Sequence, residues 1–122
     1  MDPVRVMVVD DAADARFLAT LILREHGDIE VVAEADGAAS ALGQLEGSAP
    51  RVALLDARMP LVDGYELTGQ LLALRPDLRI AILTSVVDEG IEARAREAGA
   101  HACWSKADLE QLPEMVRELV AR

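Results

Sequence analysis

The chain has 122 residues, of which 52% are hydrophobic, and its formal net charge is −10. This length and apolar fraction predict one domain, residues 1–122, with a single core. The negative charge disfavours direct binding to nucleic acid or to an anionic membrane. No apolar run approaches membrane-spanning length and a single cysteine allows no internal disulfide, so we expect a cytoplasmic protein.

Apolar runs of strand length alternate along the chain with segments of helical periodicity, which predicts five β-α units. The strands are predicted near residues 4–11, 29–33, 51–55, 79–83 and 101–106. The helices are predicted within residues 12–27, 38–46, 63–77, 88–100 and 109–122. No linker, repeat or low-complexity segment interrupts this alternation.

Several residues mark the helix faces and ends. In the first helix, one face is shared by Phe17, Leu18, Leu21 and Ile22. Gly27 and Gly99 are expected to end the first and fourth helices. Asp63 is a candidate N-cap for the third helix, and Pro113 suits the first turn of the last one.

Strands this apolar, each followed by a helix, are typical of a parallel sheet that is buried on both faces. The predicted fold class is therefore α/β, a single doubly wound, five-stranded parallel sheet with five helices. In such sheets, sites form beyond the carboxyl ends of the strands, where the winding direction reverses.

Polar residues stand at the carboxyl ends of four predicted strands. Asp10 and Asp11 follow the first, Asp56 the third, Thr84 the fourth and Lys106 the fifth. With a strand order of 2-1-3-4-5, three carboxylates, a hydroxyl and an ammonium would converge at one edge of the sheet. Such an arrangement predicts a functional site there.

Carboxylates this close together require a counter-charge. Two of them a few ångströms apart repel by about 4 kcal/mol at an effective dielectric near 20, so the cluster needs a cation or a shared proton. Hard oxygen ligands favour Mg²⁺. A metal beside Asp56 could also neutralise a phosphoryl group transferred to that carboxylate, with Lys106 and Thr84 contacting the phosphoryl oxygens from the other side.

The combination of Asp10-Asp11, the run DARMPLVDG at residues 56–64, Thr84 and Lys106 resembles the receiver domain of bacterial two-component response regulators. The resemblance covers essentially the whole chain in order and spacing. It implies a flavodoxin-like fold with strand order 2-1-3-4-5. The stretch IEVVAEADGAASAL is most similar to regulators whose receiver precedes a helix-turn-helix domain.

The same resemblance implies a role for each residue at the edge. Asp56 is the phosphate acceptor; Asp11 and Asp56 bind Mg²⁺ directly, and Asp10 binds it through water. The backbone carbonyl of Arg58 completes the protein ligands. Thr84 is then the switch hydroxyl, and Lys106 contacts the phosphoryl group.

Lys106 is the only lysine in the chain. A compact ammonium on a flexible stem suits a phosphoryl group on a neighbouring strand better than the planar fork of arginine. The alternative is that one lysine survived by chance in an arginine-rich composition. The four other polar residues at the edge favour the functional interpretation.

Two positions depart from the family pattern. Cys103 stands where the family usually has an aromatic residue, and Trp104 cannot replace that ring because adjacent strand residues face opposite sides of a sheet. We expect Cys103 to be a buried packing residue with low reactivity. Ala107 follows the lysine where many relatives have proline, so we expect a trans peptide bond there. His26 and His101 are expected at the surface.

Three functions are compatible with the sequence. The first is a switch that accepts phosphate from a sensor histidine kinase and alters dimer or effector contacts through the surface of helix 4, strand 5 and helix 5. Such a switch is not an enzyme beyond its own phosphotransfer and dephosphorylation, and a DNA-binding output domain would lie outside this chain. The second is a phosphate-independent binding module. The third is an aspartate-nucleophile phosphohydrolase, which the Asp-Asp pattern disfavours because those enzymes use D-x-D after their first strand.

Overall fold

A computed structural model describes residues 2–122. Its strands are β1 Val4–Val9, β2 Ile29–Ala35, β3 Val52–Asp56, β4 Arg79–Thr84 and β5 Ala102–Ser105. Its helices are α1 Ala13–Arg24, α2 Ala38–Ser48, α3 Gly64–Leu74, α4 Glu89–Ala98 and α5 Leu112–Ala121. A short 3₁₀ helix, Lys106–Gln111, connects β5 to α5. The predicted strands and helices are therefore all present, and the 3₁₀ helix takes up the first residues of the last predicted helix.

The five strands form one parallel sheet in the order β2-β1-β3-β4-β5, as predicted. The winding direction reverses between β1 and β3, which are neighbours in the sheet. The fold is thus a doubly wound, flavodoxin-like α/β sandwich. The carboxyl ends of β1, β3 and β4 lie side by side at the point where such folds form their sites.

Helices cover both faces of the sheet and divide the core into two layers. One layer places residues of α2, α3 and α4 against the sheet, with Leu45, Leu71 and Ala95 among its members. The other places α1 and α5 against the opposite face, through residues such as Leu23 and Leu119. Strand β3 is buried along its whole length, including its last residue.

Side-chain N-caps are present in α3 and α4. The Asp63 side chain accepts a hydrogen bond from the Glu66 backbone N–H at 2.8 Å, so the predicted N-cap of α3 is confirmed. Gly99 adopts φ 105°, a left-handed conformation suited to glycine, and it ends α4 as predicted. The prediction for Gly27 is wrong, because α1 ends at Arg24 and Glu25 caps it in a right-handed conformation.

The apolar face of α1 that the sequence displays is not the face that the helix buries. Phe17 is 66% exposed, and Leu18 and Leu21 are exposed as well. The buried residues of α1 are Ala19, Thr20 and Leu23. Two of these three residues are small, whereas three of the four large apolar side chains predicted on one face are exposed.

Strand β5 separates its two unusual side chains between the layers. Cys103 packs against the α3 and α4 layer, and Trp104 packs against the α1 and α5 layer. Cys103 is half-buried, and burial raises the pKa of its thiol. No peptide bond within residues 2–122 is cis, so the trans bond expected before Ala107 is confirmed. No helix in this range is both long and apolar enough to cross a bilayer.

The two histidines expected at the surface are partly exposed, and each makes a polar contact through its ring. The Nδ1 atom of His101 accepts a hydrogen bond from the Ile80 backbone N–H at 3.0 Å. His26 lies beside Arg117, with 3.1 Å between its Nδ1 and a guanidinium nitrogen. Both contacts therefore lie at the amino ends of the strands, opposite the carboxyl ends that carry the acidic residues.

Candidate functional site

Asp56 is the last residue of β3 and one of two buried carboxylates at the acidic edge, with Asp10. Only 8% of Asp56 is exposed. Its strand is paired with β1 on one side and β4 on the other, so its carboxyl group emerges between two neighbouring strand ends. Burial raises the pKa of this carboxyl above its ordinary value, and the Asp10 carboxylate adds to the effect, while Lys106 opposes it.

Asp10 and Asp11 follow β1 and complete a group of three carboxylates. Asp10 is buried, and its Oδ1 accepts the Ala12 backbone N–H at 2.9 Å. Asp11 is exposed. One oxygen from each of Asp10, Asp11 and Asp56 lies within 4.8 Å of the others. The cluster that the sequence predicted from strand ends alone is thus present in space.

Lys106 connects two of these carboxylates. Its Nζ lies 3.0 Å from Asp10 Oδ2 and 3.0 Å from Asp56 Oδ1. Burial by itself would lower the pKa of Lys106, but the hydrogen bonds and charges of the two carboxylates outweigh it and raise that pKa. The only lysine of the chain is therefore fully charged at neutral pH and provides part of the counter-charge for the site.

Thr84 and Arg58 border the same space. Thr84 ends β4, is 8% exposed, and accepts the Val86 backbone N–H on its hydroxyl oxygen at 3.3 Å. Both residues line a cleft of about 630 Å³ that also includes Asp56 and Lys106. All the predicted site residues except Asp10 and Asp11 border this cleft. Asp10 adjoins it through its ion pair with Lys106, and an oxygen of Asp11 lies within 4.8 Å of one of Asp56.

The segment between β3 and α3 packs directly against Asp56. A Cβ atom added to Gly64 would lie 2.3 Å from the Asp56 carbonyl oxygen, which no side chain could tolerate without movement. The Gly64 backbone N–H also donates to the Ala57 carbonyl at 3.0 Å. Glycine at this position therefore allows the start of α3 to pack onto the end of β3. The close approach gives a physical reason for the glycine that ends the run DARMPLVDG, residues 56–64.

Two residues that the sequence did not single out also line the cleft. Tyr65, at the start of α3, is buried, and Arg94 of α4 stacks over its ring. Tyr65 could have attracted notice as one of only three aromatic residues in the chain. Arg94 carries no signal in the sequence, because it is one of several arginines on a polar helix.

The donor set is suitable for a hard divalent cation. Three carboxylates of this spacing supply the oxygen ligands that Mg²⁺ prefers, and the exposure of Asp11 leaves room for water to complete the coordination. Lys106 compensates only one of their negative charges. The residues present therefore fit the group that the acidic edge predicted.

The fold and the edge together define a class: a doubly wound α/β protein with a buried acceptor carboxylate, flanking acidic residues and a bridging lysine at the switch point of the sheet. Residues 6–117 match the family described as response regulator receiver domains. The match spans nearly the whole chain, and the chain belongs to this family.

Individual relatives agree with this membership. The chain is 38% identical, over 97% of its length, to protein-glutamate methylesterase/protein-glutamine glutaminase 2 of Caulobacter vibrioides, of which it spans only 37%. The signal receiver domain of the putative response regulator NarL from Mycobacterium tuberculosis superposes with a TM-score of 0.92 at 29% identity, with both chains fully covered. A two-component response regulator of the LuxR family from Aurantimonas gives a TM-score of 0.87 at 30% identity, covering 99% of this chain and 88% of that one.

Proposed function

We propose that residues 1–122 form one receiver domain that acts as a phosphorylation-controlled switch, with Asp56 as the phosphoacceptor. The observation that carries this proposal is the geometry at the edge of the sheet: Asp56 lies within 4.8 Å of two other carboxylates and 3.0 Å from Lys106. Family membership agrees with the same function.

Asp56 combines the properties that a carboxylate nucleophile needs. Enclosure at the end of β3 removes water that would otherwise solvate its charge and raises its pKa, while the Lys106 ammonium 3.0 Å away favours the ionised form. In the proposed step, an Asp56 oxygen forms a bond to the phosphorus of a phosphorylated histidine. The bond from phosphorus to the histidine nitrogen breaks, and that nitrogen keeps the electron pair.

Asp11 and Asp56 would hold Mg²⁺ directly, with Asp10 acting through water and the Arg58 carbonyl as a further ligand. When bound, the ion offsets the charge that develops on the phosphoryl oxygens during transfer. Asp10 already accepts hydrogen bonds from Ala12 and Lys106, which suits an outer position better than a direct one. The chain's own contribution is to keep these oxygens in place before the donor arrives.

Thr84 and Lys106 would read the new phosphoryl group. Thr84 stands at the end of β4, and only residues 85–88 separate it from the start of α4. A movement of its hydroxyl towards the phosphoryl group would therefore displace the segment that leads into α4. Lys106 begins the 3₁₀ helix that leads into α5, so its new contact would reach the other side of the same surface.

The partners follow from this function as proposals. A sensor histidine kinase would supply the phosphoryl group, and the surface formed by α4, β5 and α5 would exchange contacts with a second copy or with an effector. The names of the relatives indicate different outputs: one is a methylesterase and glutaminase, and another is a LuxR-family response regulator. We propose a helix-turn-helix output domain for the protein to which this chain belongs, on the sequence likeness of its second β-α unit. Phosphotransfer to Asp56 and dephosphorylation of the phosphorylated Asp56 would be the only chemistry of the chain itself.

Incubation with a small phosphoryl donor and Mg²⁺, followed by intact mass spectrometry, tests the proposal. A lasting single phosphoryl adduct in the wild type that is absent from Asp56→Asn is the expected result. Absence of an adduct in the wild type would instead favour a phosphate-independent binding module. Rapid consumption of donor without a lasting adduct would favour a phosphohydrolase. Thr20→Ser, a small change at a buried hydroxyl of α1 away from the site, is a control that should phosphorylate normally.

A further inference from the structure

Arg94 connects α4 to the start of α3 through two contacts. Its guanidinium carbon lies 4.2 Å from the centre of the Tyr65 ring, within the range of a cation–π interaction. One guanidinium nitrogen lies 3.3 Å from Asp63 Oδ2. The other oxygen of Asp63 caps α3 through the Glu66 backbone N–H. Arg94 of α4 thus contacts both the N-cap residue Asp63 and the buried ring of Tyr65 in α3.

Asp63 and Tyr65, the residues that Arg94 contacts, are held in place beside Asp56. Gly64 lies between Asp63 and Tyr65 and packs directly against the backbone of Asp56, as its lack of space for a Cβ atom shows. Tyr65 is buried and belongs to the same core layer as the β3 residue Leu55. The start of α3 is therefore a rigid reference point beside the site.

Arg94 itself belongs to α4, which buries fewer residues than α3. Only Ala95 is buried within α4, whereas α3 buries five residues. The segment that leads into α4 from Thr84 exposes Val86 and Val87. Because α4 buries only Ala95, the Arg94 contacts contribute more to its position than they would in a well-buried helix.

We propose that Arg94 acts as a latch that holds α4 in its unphosphorylated position, and that this latch opposes the movement that phosphorylation of Asp56 demands. Arg94, Tyr65, Asp63 and Thr84 line the same cleft as Asp56, so a displacement of Thr84 and α4 towards a phosphoryl group must change the Arg94 contacts. Arg94 is a positioning residue in this scheme and does not touch the reacting atoms. This inference rests on the proposed function, because it concerns how the same site at Asp56 is regulated.

The expected effect is moderate because both contacts are partly open to water. The Arg94 side chain is 59% exposed, which weakens the ion pair and the cation–π contact alike. An exposed ion pair and an exposed cation–π contact together bias a two-position equilibrium by roughly 3- to 30-fold. Loss of the latch should therefore raise the population of the shifted α4 position by a factor in that range.

The test compares Arg94→Gln with Arg96→Gln in the full 122-residue chain. Both variants remove one exposed arginine from the same helix, but Arg96 does not contact α3 through an ion pair among the described residues. Amide NMR spectra recorded without phosphate, and with beryllofluoride and Mg²⁺ as a phosphate mimic, report the position of α4. The initial rate of phosphorylation by a small donor, followed by intact mass, gives a second readout.

In Arg94→Gln, the α4 amide signals without the mimic should move along the line towards their mimic-bound positions, and phosphorylation should be severalfold faster. A contact that only stabilised the fold would not move the α4 signals towards their mimic-bound positions. Tyr65→Leu should give a smaller shift in the same direction, because Arg94 keeps its ion pair with Asp63. Adding Tyr65→Leu to Arg94→Gln should have little further effect, because the contact with the ring is already lost. Arg96→Gln should match the wild type in both measurements.

The possible failures are distinguishable. A normally phosphorylated wild type in which Arg94→Gln behaves like Arg96→Gln would refute the latch and leave the proposed function intact. A wild type that accepts neither phosphate nor its mimic would refute both. If Tyr65→Leu fails to fold, the comparison of the two surface arginines still decides the question.

Discussion

Replacement of Gly64 by alanine tests how tightly the start of α3 is packed against the phosphoacceptor. The added Cβ would lie 2.3 Å from the Asp56 carbonyl oxygen, 3.0 Å from its carbonyl carbon and 3.1 Å from the Ala57 Cα. All three are backbone atoms, so no side chain can rotate away to relieve the clash. The start of α3 or the end of β3 must move by about 1 Å to restore ordinary contact distances.

Forced movements of this kind cost about 1 to 3 kcal/mol of unfolding free energy. Alanine recovers part of that loss, because it favours a helix over glycine by up to about 1 kcal/mol. We therefore expect Gly64→Ala to lower the free energy of unfolding by about 1 to 2 kcal/mol. Because the clash is with Asp56 itself, phosphorylation by a small donor should slow as well.

Gly69→Ala provides the matched control. Gly69 lies in the same helix, and a Cβ atom added there would meet nothing within 4 Å. The same substitution should stabilise the chain at this position, by up to about 1 kcal/mol. Urea denaturation should therefore separate the two variants by roughly 1 M in midpoint, given slopes of about 1 to 3 kcal/mol/M. Equal midpoints would show that the close approach of Gly64 to Asp56 does not exist.

Three further predictions concern other parts of the chain. Lys106→Arg should still accept phosphate on Asp56 but should transmit it poorly, so amide NMR shifts of α4 and α5 on adding beryllofluoride should be smaller than in the wild type; equal shifts would mean that any cation suffices at this position. Cys103 should react with a thiol reagent much more slowly in the folded chain than in urea, because burial raises the pKa of its thiol; equal rates would contradict its packing role. The Arg117 guanidinium holds the pKa of Asp28 at about 2, below its ordinary 3.8, so this pair stabilises the fold above about pH 4 and loses that effect as the pH falls towards 2. Asp28→Asn should therefore be less stable than the wild type at neutral pH and equal to it near pH 2, and a difference in denaturation midpoint that is independent of pH would refute the assignment.

The site could be predicted from the sequence because it depends on topology more than on packing. Parallel strands bring their carboxyl ends to one edge, so the residue after each apolar run is placed once the strand order is known. Asp10, Asp56 and Lys106 meet for this reason although they are distant in the chain. Their ion pairs at 3.0 Å follow from a register that the strands themselves impose.

Features that depend on how helices pack could not be predicted in the same way. The periodicity of α1 correctly indicated a helix, but the large apolar side chains of Phe17 and Leu21 lie outside, and the smaller Ala19 and Thr20 are buried instead. The contact of Arg94 with Tyr65 joins two helices, and its existence depends on their relative rotation. No local pattern in either helix encodes that rotation.

The most direct test of the central claim is a comparison of amide NMR spectra with and without beryllofluoride in the presence of Mg²⁺. Occupation of Asp56 by the phosphate mimic should shift the signals of Thr84, of residues 85–88 and of α4. The amides at the end of α2, where Ala49 accepts a hydrogen bond from Arg5 at the start of β1, should change little. Asp56→Asn should show none of these shifts. A wild-type spectrum that is unchanged by the mimic, or one in which only the residues next to Asp56 respond, would contradict a switch that carries phosphorylation to the α4 surface.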